Sequence, residues 1–313
     1  MKKHLITLLD WEPEEIRTVL DLARRMKKEI KGGRLRPSLS GKTLALVFEK
    51  SSMRTRVSFE VAMLQLGGHS IYLSRGDIDL GKREPVKDGA RVLSRYVDGI
   101  AARVFAHATV EELAAHSTVP VINALSDKAH PCQALGDIMT VEEKFSSLEG
   151  VKLAYIGDAN NVARSLAVIC AKLGIHYAIA CPRPYQFDAE FQRRVRELAV
   201  ASKATLEITD SPGEAAAGAD VLYTDTWVSM GQEAELERRL HDFQGYTIDA
   251  GKLQRASKRA IVMHCMPAYR GKEITDEVIE GPQSVVFDQA ENRMHAQRAL
   301  LHLLLGGGSP QGQ

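Results

Sequence analysis

The stretch Lys50-Ser51-Ser52-Met53-Arg54-Thr55-Arg56 concentrates the kinds of group that hold an oxyanion. It follows an apolar run at 44–48 that reads as a buried parallel strand. It precedes residues 57–66, whose apolar spacing suits a helix stopped by Gly67 and Gly68. A strand-to-helix turn gathers free backbone N–H groups and the positive end of a helix dipole at one point. Ser51, Ser52 and Thr55 add hydroxyls, and Arg54 and Arg56 add planar forks that match phosphate oxygens in pairs. The competing reading, a solvated arginine pair beside a serine cap, accounts for fewer of these residues.

His130, Pro131, Cys132 and Gln133 stand at the entry to another helical pattern. Taken alone, Pro131 is a first-turn proline and His130 a polar loop residue. The functional alternative puts His130 and Gln133 on one polar face beside a strand end, where open α/β sheets bind ligands. Asp225 follows the apolar run 221–224, and a lone aspartate there is often a cap. His130, Cys132, His264 and Cys265 could each ligate zinc, yet H-x-C and H-C are poor chelating spacings, so no metal is expected. Gly157-Asp158 follows a strand pattern without G-x-G-x-x-G spacing, so no nicotinamide or flavin cofactor is expected either.

Together these segments resemble the aspartate/ornithine carbamoyltransferase family. Ser52-Met53-Arg54-Thr55-Arg56 is similar to that family's Ser-Thr-Arg-Thr-Arg phosphate motif, with Met53 standing for Thr. The backbone N–H of Met53 can still donate, so the departure costs at most one side-chain hydrogen bond, about 1 kcal/mol. His130-Pro131-Cys132-Gln133 matches His-Pro-x-Gln. Asp225-Thr226-Trp227-Val228-Ser229-Met230-Gly231 resembles the Asp-x-x-x-Ser-Met-Gly of the ornithine branch. His264-Cys265-Met266-Pro267 resembles its His-Cys-Leu-Pro, and Glu291-Asn292-Arg293 matches its Glu-Asn-Arg. These motifs run in family order from residue 52 to residue 293.

The resemblance implies transfer of the carbamoyl group of carbamoyl phosphate to the δ-amine of L-ornithine through a tetrahedral intermediate. The products would be L-citrulline and phosphate, in arginine biosynthesis or degradation. By the same resemblance Ser52, Met53, Arg54 and Thr55 hold the phosphate, and Arg56 supports the loop. Arg103 reaches phosphate and carbonyl oxygen, His130 donates to that oxygen, and Gln133 fixes the carbamoyl NH2, with Pro131 and Cys132 beside them. Arg293 completes the carbonyl contacts, and Cys265 and Met266 lie beside the carbamoyl group and the attacking nitrogen. Arg103, His130 and Cys265 form the implied catalytic set, while Asn161, Asp225, Ser229 and Met230 bind ornithine's carboxylate and α-ammonium.

The family resemblance further implies a homotrimer with shared active sites, a loop around residues 79–83 reaching into the neighbour. Asp79 belongs to the implied carbamoyl phosphate set but stands where Gln or His is expected. A carboxylate beside a phosphate dianion is unfavourable, so either Lys82 or Arg83 takes its place or the loop sits differently. Transfer to aspartate, putrescine or an N-acylated ornithine remains an alternative, as does a non-catalytic anion or amino-acid binder.

Two doubly wound α/β domains, each a mainly parallel sheet flanked by helices, are expected to position these residues. Residues 1–131 would bind carbamoyl phosphate and 132–289 ornithine, with a C-terminal helix at 290–305 packing back on the first domain and 306–313 a disordered tail. The first domain should carry an opening helix with Asp10 as cap and Pro13 in its first turn. Its strands are expected at 44–48, 69–73, 99–105 and 119–123, with helices at 90–96 and 110–116 and a polar loop at 74–87. A helix at 132–145 would join the halves. The second domain's strands are expected near 151–157, 177–181, 204–208, 221–224, 261–265 and 285–288.

The chain of 313 residues is 44% apolar and 26% charged, an ordinary globular composition long enough for two cores. A formal charge of +1 argues against a nucleic-acid or acidic-membrane binder. No apolar run is long enough to span a bilayer, and the first residues lack the marks of a secretion or organelle signal, so cytoplasmic residence is expected. Cysteines at 132, 170, 181 and 265 show no paired spacing, so no disulfide framework is expected. Asn occurs only at 123, 160, 161 and 292, a scarcity in keeping with a thermophile.

Overall fold

The computed structural model describes residues 4–35, 37–228 and 233–306. The chain divides into two compact units, Met1–Met139 with Glu291–Gln313, and Thr140–Ala290. In the first, short apolar runs form β1 (Thr43–Phe48), β2 (His69–Ser74), β3 (Gly99–Arg103) and β4 (Val121–Leu125). They pair in parallel in the order β2-β1-β3-β4. A parallel sheet needs cover on both faces, and Ala45, Val47, Ile100 and Ala102 pack with Val86, Val110 and Leu113 from the flanking helices. The chain leaves β1 toward β2 on one side and returns to β3 on the other. The carboxyl ends of β1 and β3 therefore form the switch point where open sheets bind ligands.

The second unit repeats the plan. Strands β5 (Lys152–Ile156), β6 (His176–Ala180), β7 (Leu206–Thr209), β8 (Val221–Thr224) and β9 (Ile261–His264) lie parallel in the order β7-β6-β5-β8-β9. Ile156, Leu222 and Val262 meet Trp227, Phe243 and Ile248 in its core. Here the switch point falls between β5 and β8.

The long helix Val286–Leu305 joins the first unit from Glu291 onward. Within that unit Arg298 Nη1 donates to Gln65 Oε1 at 2.7 Å, His302 Nδ1 lies 2.7 Å from Ser38 Oγ, and Leu305 packs on Gly99. The expected return of the C-terminal helix onto the first half is thus present. The sequence reading put the junction at 131/132, whereas the units divide inside the helix Pro131–Phe145, after Met139.

Several local expectations change. Residues 285–288 are not a strand: Ser284 makes one bridge to Val262, and the helix begins at Val286. The pair Val285-Val286 has β character, but helical spacing buries Val286 and brings the Gln289 side chain to the His264 N–H at 2.9 Å. The opening helix Pro13–Lys31 is capped by Glu12 in a capping box with Glu15, while Asp10 ends a short 3-10 turn. The region 74–87 contains a one-turn helix, Arg75–Ile78, and the helix Val86–Tyr96 starts within it. The strand expected at 99–105 ends at Arg103, and that at 119–123 lies at Val121–Leu125. Of the expected tail, residues 307–313 lie outside the described residues. No helix among the described residues is long and apolar enough to cross a membrane.

Candidate active site

The turn after β1 ends at Ser52, the N-cap of the helix Met53–Gln65, whose Oγ accepts from Thr55 N at 3.3 Å. Such a cap contributes about 1 kcal/mol to the helix. It uses the Thr55 N–H and leaves those of Met53 and Arg54 without a partner among the described residues. Met53 is 71% exposed, so its missing hydroxyl disturbs nothing inside. Among the described residues no hydrogen bond or ion pair engages the half-buried Arg54 guanidinium. The helix end presents two N–H groups and one available planar cation.

Thr55 is the hub beneath this end. Its buried Oγ1 accepts from Arg103 Nη1 at 3.2 Å and from Arg293 Nη2, and Ser52 Oγ donates to it at 3.1 Å. Arg103 arrives because it ends β3, and Arg293 because it lies within the C-terminal helix. Lys27 Nζ donates to Asn292 Oδ1 at 2.7 Å, tying down the helical turn that carries Arg293. Arg293 Nη1 also donates to Gln133 Oε1 at 3.2 Å, while Gln133 Nε2 donates to Asp137 Oδ1 at 2.8 Å, which fixes the amide's orientation.

His130 is buried just before Pro131, the first residue of its helix. Burial, reinforced by the Arg293 and Arg103 charges, holds its pKa well below the usual histidine range. It is therefore a neutral imidazole with one N–H to give. The Cys132 thiol donates to Asn123 O at 3.6 Å, and burial pushes its pKa up to about 12, so it stays protonated and inert.

Two residues of the sequence reading are engaged elsewhere. Arg56 pairs with Glu60 at 2.9 Å and lies 3.9 Å over the Tyr72 ring, so it props the helix and offers no fork to phosphate. Asp79 pairs with Arg75 at 3.4 Å, one turn back on its own short helix, and among the described residues it meets no member of the Thr55 cradle.

In the second unit, the switch point gathers residues from three strand ends. Gly157, with φ at +149°, lets the chain turn sharply out of β5. Asn160 then caps the helix Asn161–Leu173 with a side chain that also reaches Asp225 at the end of β8, Nδ2 to Oδ2 at 2.9 Å. From the end of β9 the Cys265 thiol donates to Asp225 Oδ1 at 3.0 Å. Met266 sits at φ +61° before a cis peptide to Pro267, and its N–H donates to His264 Nδ1 at 2.8 Å. His264 Nε2 in turn meets Glu273 Oε1 at 3.1 Å. The structure thus brings Asp225, Cys265 and Met266 together, and Asn161 begins the neighbouring helix. Ser229 and Met230 lie outside the described residues.

The polar atoms of Asp225, His264 and Cys265 all lie within 4.8 Å of one another. Both His264 nitrogens are already engaged, by Met266 N–H and by Glu273, so the trio does not offer a metal three open lone pairs.

Sequence reasoning passed over two anchors in this unit. Asn160 was overshadowed by Asn161, although a capping Asn just ahead of an apolar helical pattern was the available signal. Asp158, buried at the same turn, pairs with Arg239 at 2.8 Å, and Arg239 also holds Trp227 O at 3.0 Å and Glu235 at 2.8 Å. Burial raises the Asp158 pKa to about 6 in spite of that arginine. Only the spacing of Glu235 and Arg239 hinted at this clamp.

Residues 3–143 match the aspartate/ornithine carbamoyltransferase, carbamoyl-P binding domain, and residues 149–304 match that family's Asp/Orn binding domain. An ornithine carbamoyltransferase of Halalkalibacterium halodurans is 52% identical over 305 residues, covering 97% of this chain and 96% of the relative. The solved ornithine carbamoyltransferase from Pyrococcus furiosus superposes with a TM-score of 0.95 at 49% identity, covering 98% of both chains. That from Thermus thermophilus does so with a TM-score of 0.88 at 45% identity, covering 97% of this chain and 99% of its own.

Proposed function

The chain belongs to the aspartate/ornithine carbamoyltransferase family, and we propose that it carbamoylates the δ-amine of L-ornithine with carbamoyl phosphate, yielding L-citrulline and phosphate. The observation that carries the reading is the cradle in which Arg103 and Arg293 converge on buried Thr55 beside a neutral His130. That arrangement suits a ligand with a phosphate at one end and a neutral carbonyl at the other. The N–H groups of Met53 and Arg54, the Arg54 fork and the hydroxyls of Ser52 and Thr55 take the phosphate. Arg103 spans phosphate and carbonyl, Arg293 and the His130 N–H meet the carbonyl oxygen, and Gln133 Oε1 accepts from the carbamoyl NH2.

On the second unit Asp225 takes the α-ammonium, with Asn161, Ser229 and Met230 holding the rest of the amino-acid head. Cys265 and Met266 stand beside the reacting carbon. The δ-nitrogen lone pair forms the new C–N bond, and charge collects on the carbonyl oxygen where the donors wait. The C–O bond to phosphate then breaks, and the departing phosphate carries off the ammonium proton. No metal or organic cofactor enters this scheme. Residues 1–139, with the C-terminal helix from Glu291 onward, thereby serve the anion and 140–290 the amino acid, in the cytoplasm and in arginine metabolism.

A homotrimer is part of the proposal. Met53, Val57 and Leu64 are exposed on the helix Met53–Gln65, and Ile71 is exposed on β2, an edge strand of the first unit. An apolar face of that kind fits burial against a second copy. In such an assembly Lys82 or Arg83, in place of Asp79, would be the neighbour's contribution.

The attacking amine must be uncharged, and a lysine-like amine has a pKa of about 10. Turnover at limiting ornithine and saturating carbamoyl phosphate should therefore rise nearly tenfold per pH unit between about 6 and about 8.5. His130, held far below that range, adds no opposing limb, and Asp158, near 6, is ionised over most of it. A flat profile would contradict direct attack by the free amine.

A further inference from the structure

Asp225 is gripped on both carboxylate oxygens by side chains of its own unit. Cys265 Sγ donates to Oδ1 at 3.0 Å, and Asn160 Nδ2 donates to Oδ2 at 2.9 Å. The Asn160 amide has no choice of orientation. Its Oδ1 accepts from Val162 N at 2.9 Å and from Ala163 N at 3.1 Å, and Tyr155 OH lies 3.4 Å away. Turned over, the amide would set its NH2 against two N–H donors and its oxygen against a carboxylate. The helix end therefore dictates that an N–H points at Asp225.

We propose that Asn160 is a positioning residue for the amino-acid substrate: by capping the helix Asn161–Leu173 with its oxygen, it aims an amide N–H that sets the plane of the Asp225 carboxylate. The inference rests on the reading of Asp225 as partner of the substrate's α-ammonium. With one donor on each oxygen, the remaining lone pairs of Asp225 face a fixed direction, and an ammonium must approach along it. Substrate preference then depends on a residue that need not touch substrate.

The two duties of Asn160 can be separated, because Asp and Ser cap helices about as well as Asn but neither supplies the N–H. Asn160→Ser and Asn160→Asp should keep the thermal midpoint of the wild type. In Asn160→Ser the loss of a donor to a charged group should raise KM for ornithine about tenfold or more. Asn160→Asp, which opposes two carboxylates, should raise it further. KM for carbamoyl phosphate should stay within about twofold, since a change confined to the acceptor's carboxylate leaves the first unit's contacts intact. In an Asp225→Asn background Asn160→Ser should cost nothing further in kcat/KM for ornithine, because the two residues act as one unit.

An unchanged ornithine KM in Asn160→Ser, alongside a large loss in Asp225→Asn, would reduce Asn160 to a cap and overturn the inference alone. An equal penalty from Asn160→Ser with and without Asp225→Asn would overturn it as well. An unchanged ornithine KM in Asp225→Asn would instead overturn the underlying reading of Asp225, and the inference with it.

Discussion

Arg54→Ala will lose roughly thirtyfold to a thousandfold in kcat/KM for carbamoyl phosphate, and Arg54→Lys will not restore it. The loss corresponds to about 2–4 kcal/mol for a charge-assisted contact in a closed site. Arg54 sits at the second position of a helix whose first N–H groups are open, and no described residue pairs with its guanidinium. Its fork can lie along two phosphate oxygens while the backbone binds from behind. An ammonium would replace the charge but not the two parallel hydrogen bonds. Arg56→Ala serves as the contrast. That arginine is spent on Glu60 and Tyr72, so its removal should lower stability slightly and leave KM for carbamoyl phosphate nearly unchanged. Near wild-type kcat/KM in Arg54→Lys would show that Arg54 is only a surface charge.

Asp225→Asn should lose about a hundredfold or more in kcat/KM for ornithine, with the affinity for carbamoyl phosphate preserved. The substitution is nearly isosteric, so packing survives, but the amide loses the charge that answers the ammonium and must present an NH2 either to the Asn160 N–H or to the Cys265 S–H. Both are donors. Leaving a buried polar pair unsatisfied costs several kcal/mol, which sets the scale of the loss. The readout is citrulline formed over a range of ornithine concentrations, with phosphate release followed in parallel. Ornithine kcat/KM within about tenfold of wild type would remove Asp225 from the recognition of the α-ammonium.

The parts legible in the sequence were those encoded over short spans. Ser52 capping Thr55, Pro131 opening a helix, and strands feeding Arg103 and Asp225 all depend on neighbours within a few residues. The alternation of apolar strands with helices was enough for two parallel sheets. Contacts between distant segments were not legible. Nothing near Lys27 announces a bond to Asn292, 265 residues away, and nothing near Asp158 announces Arg239.

Register was the other weak point. Asn160 and Asn161 are chemically identical neighbours, and only the helix start decides which caps and which begins the helix. At 285–288 β-branched residues outvoted a helical pattern that becomes visible only once Gln289 has a partner in His264 N–H. The residue types around Arg56 allow a second phosphate fork as well as the loop support implied by resemblance; its i,i+4 partner Glu60 lies on the same helix, whereas the ring of Tyr72 comes from the neighbouring strand β2.

The central claim is the choice of amine, and purified protein given carbamoyl phosphate with each candidate acceptor tests it most directly. N-acetylornithine lacks the α-charge that Asp225 answers and adds bulk, while putrescine lacks the carboxylate and the stereocentre as well. Ornithine should be preferred over both by more than about a hundredfold in kcat/KM, with citrulline as the product. Equal use of N-acetylornithine, or no carbamoylated product from ornithine, would contradict the account.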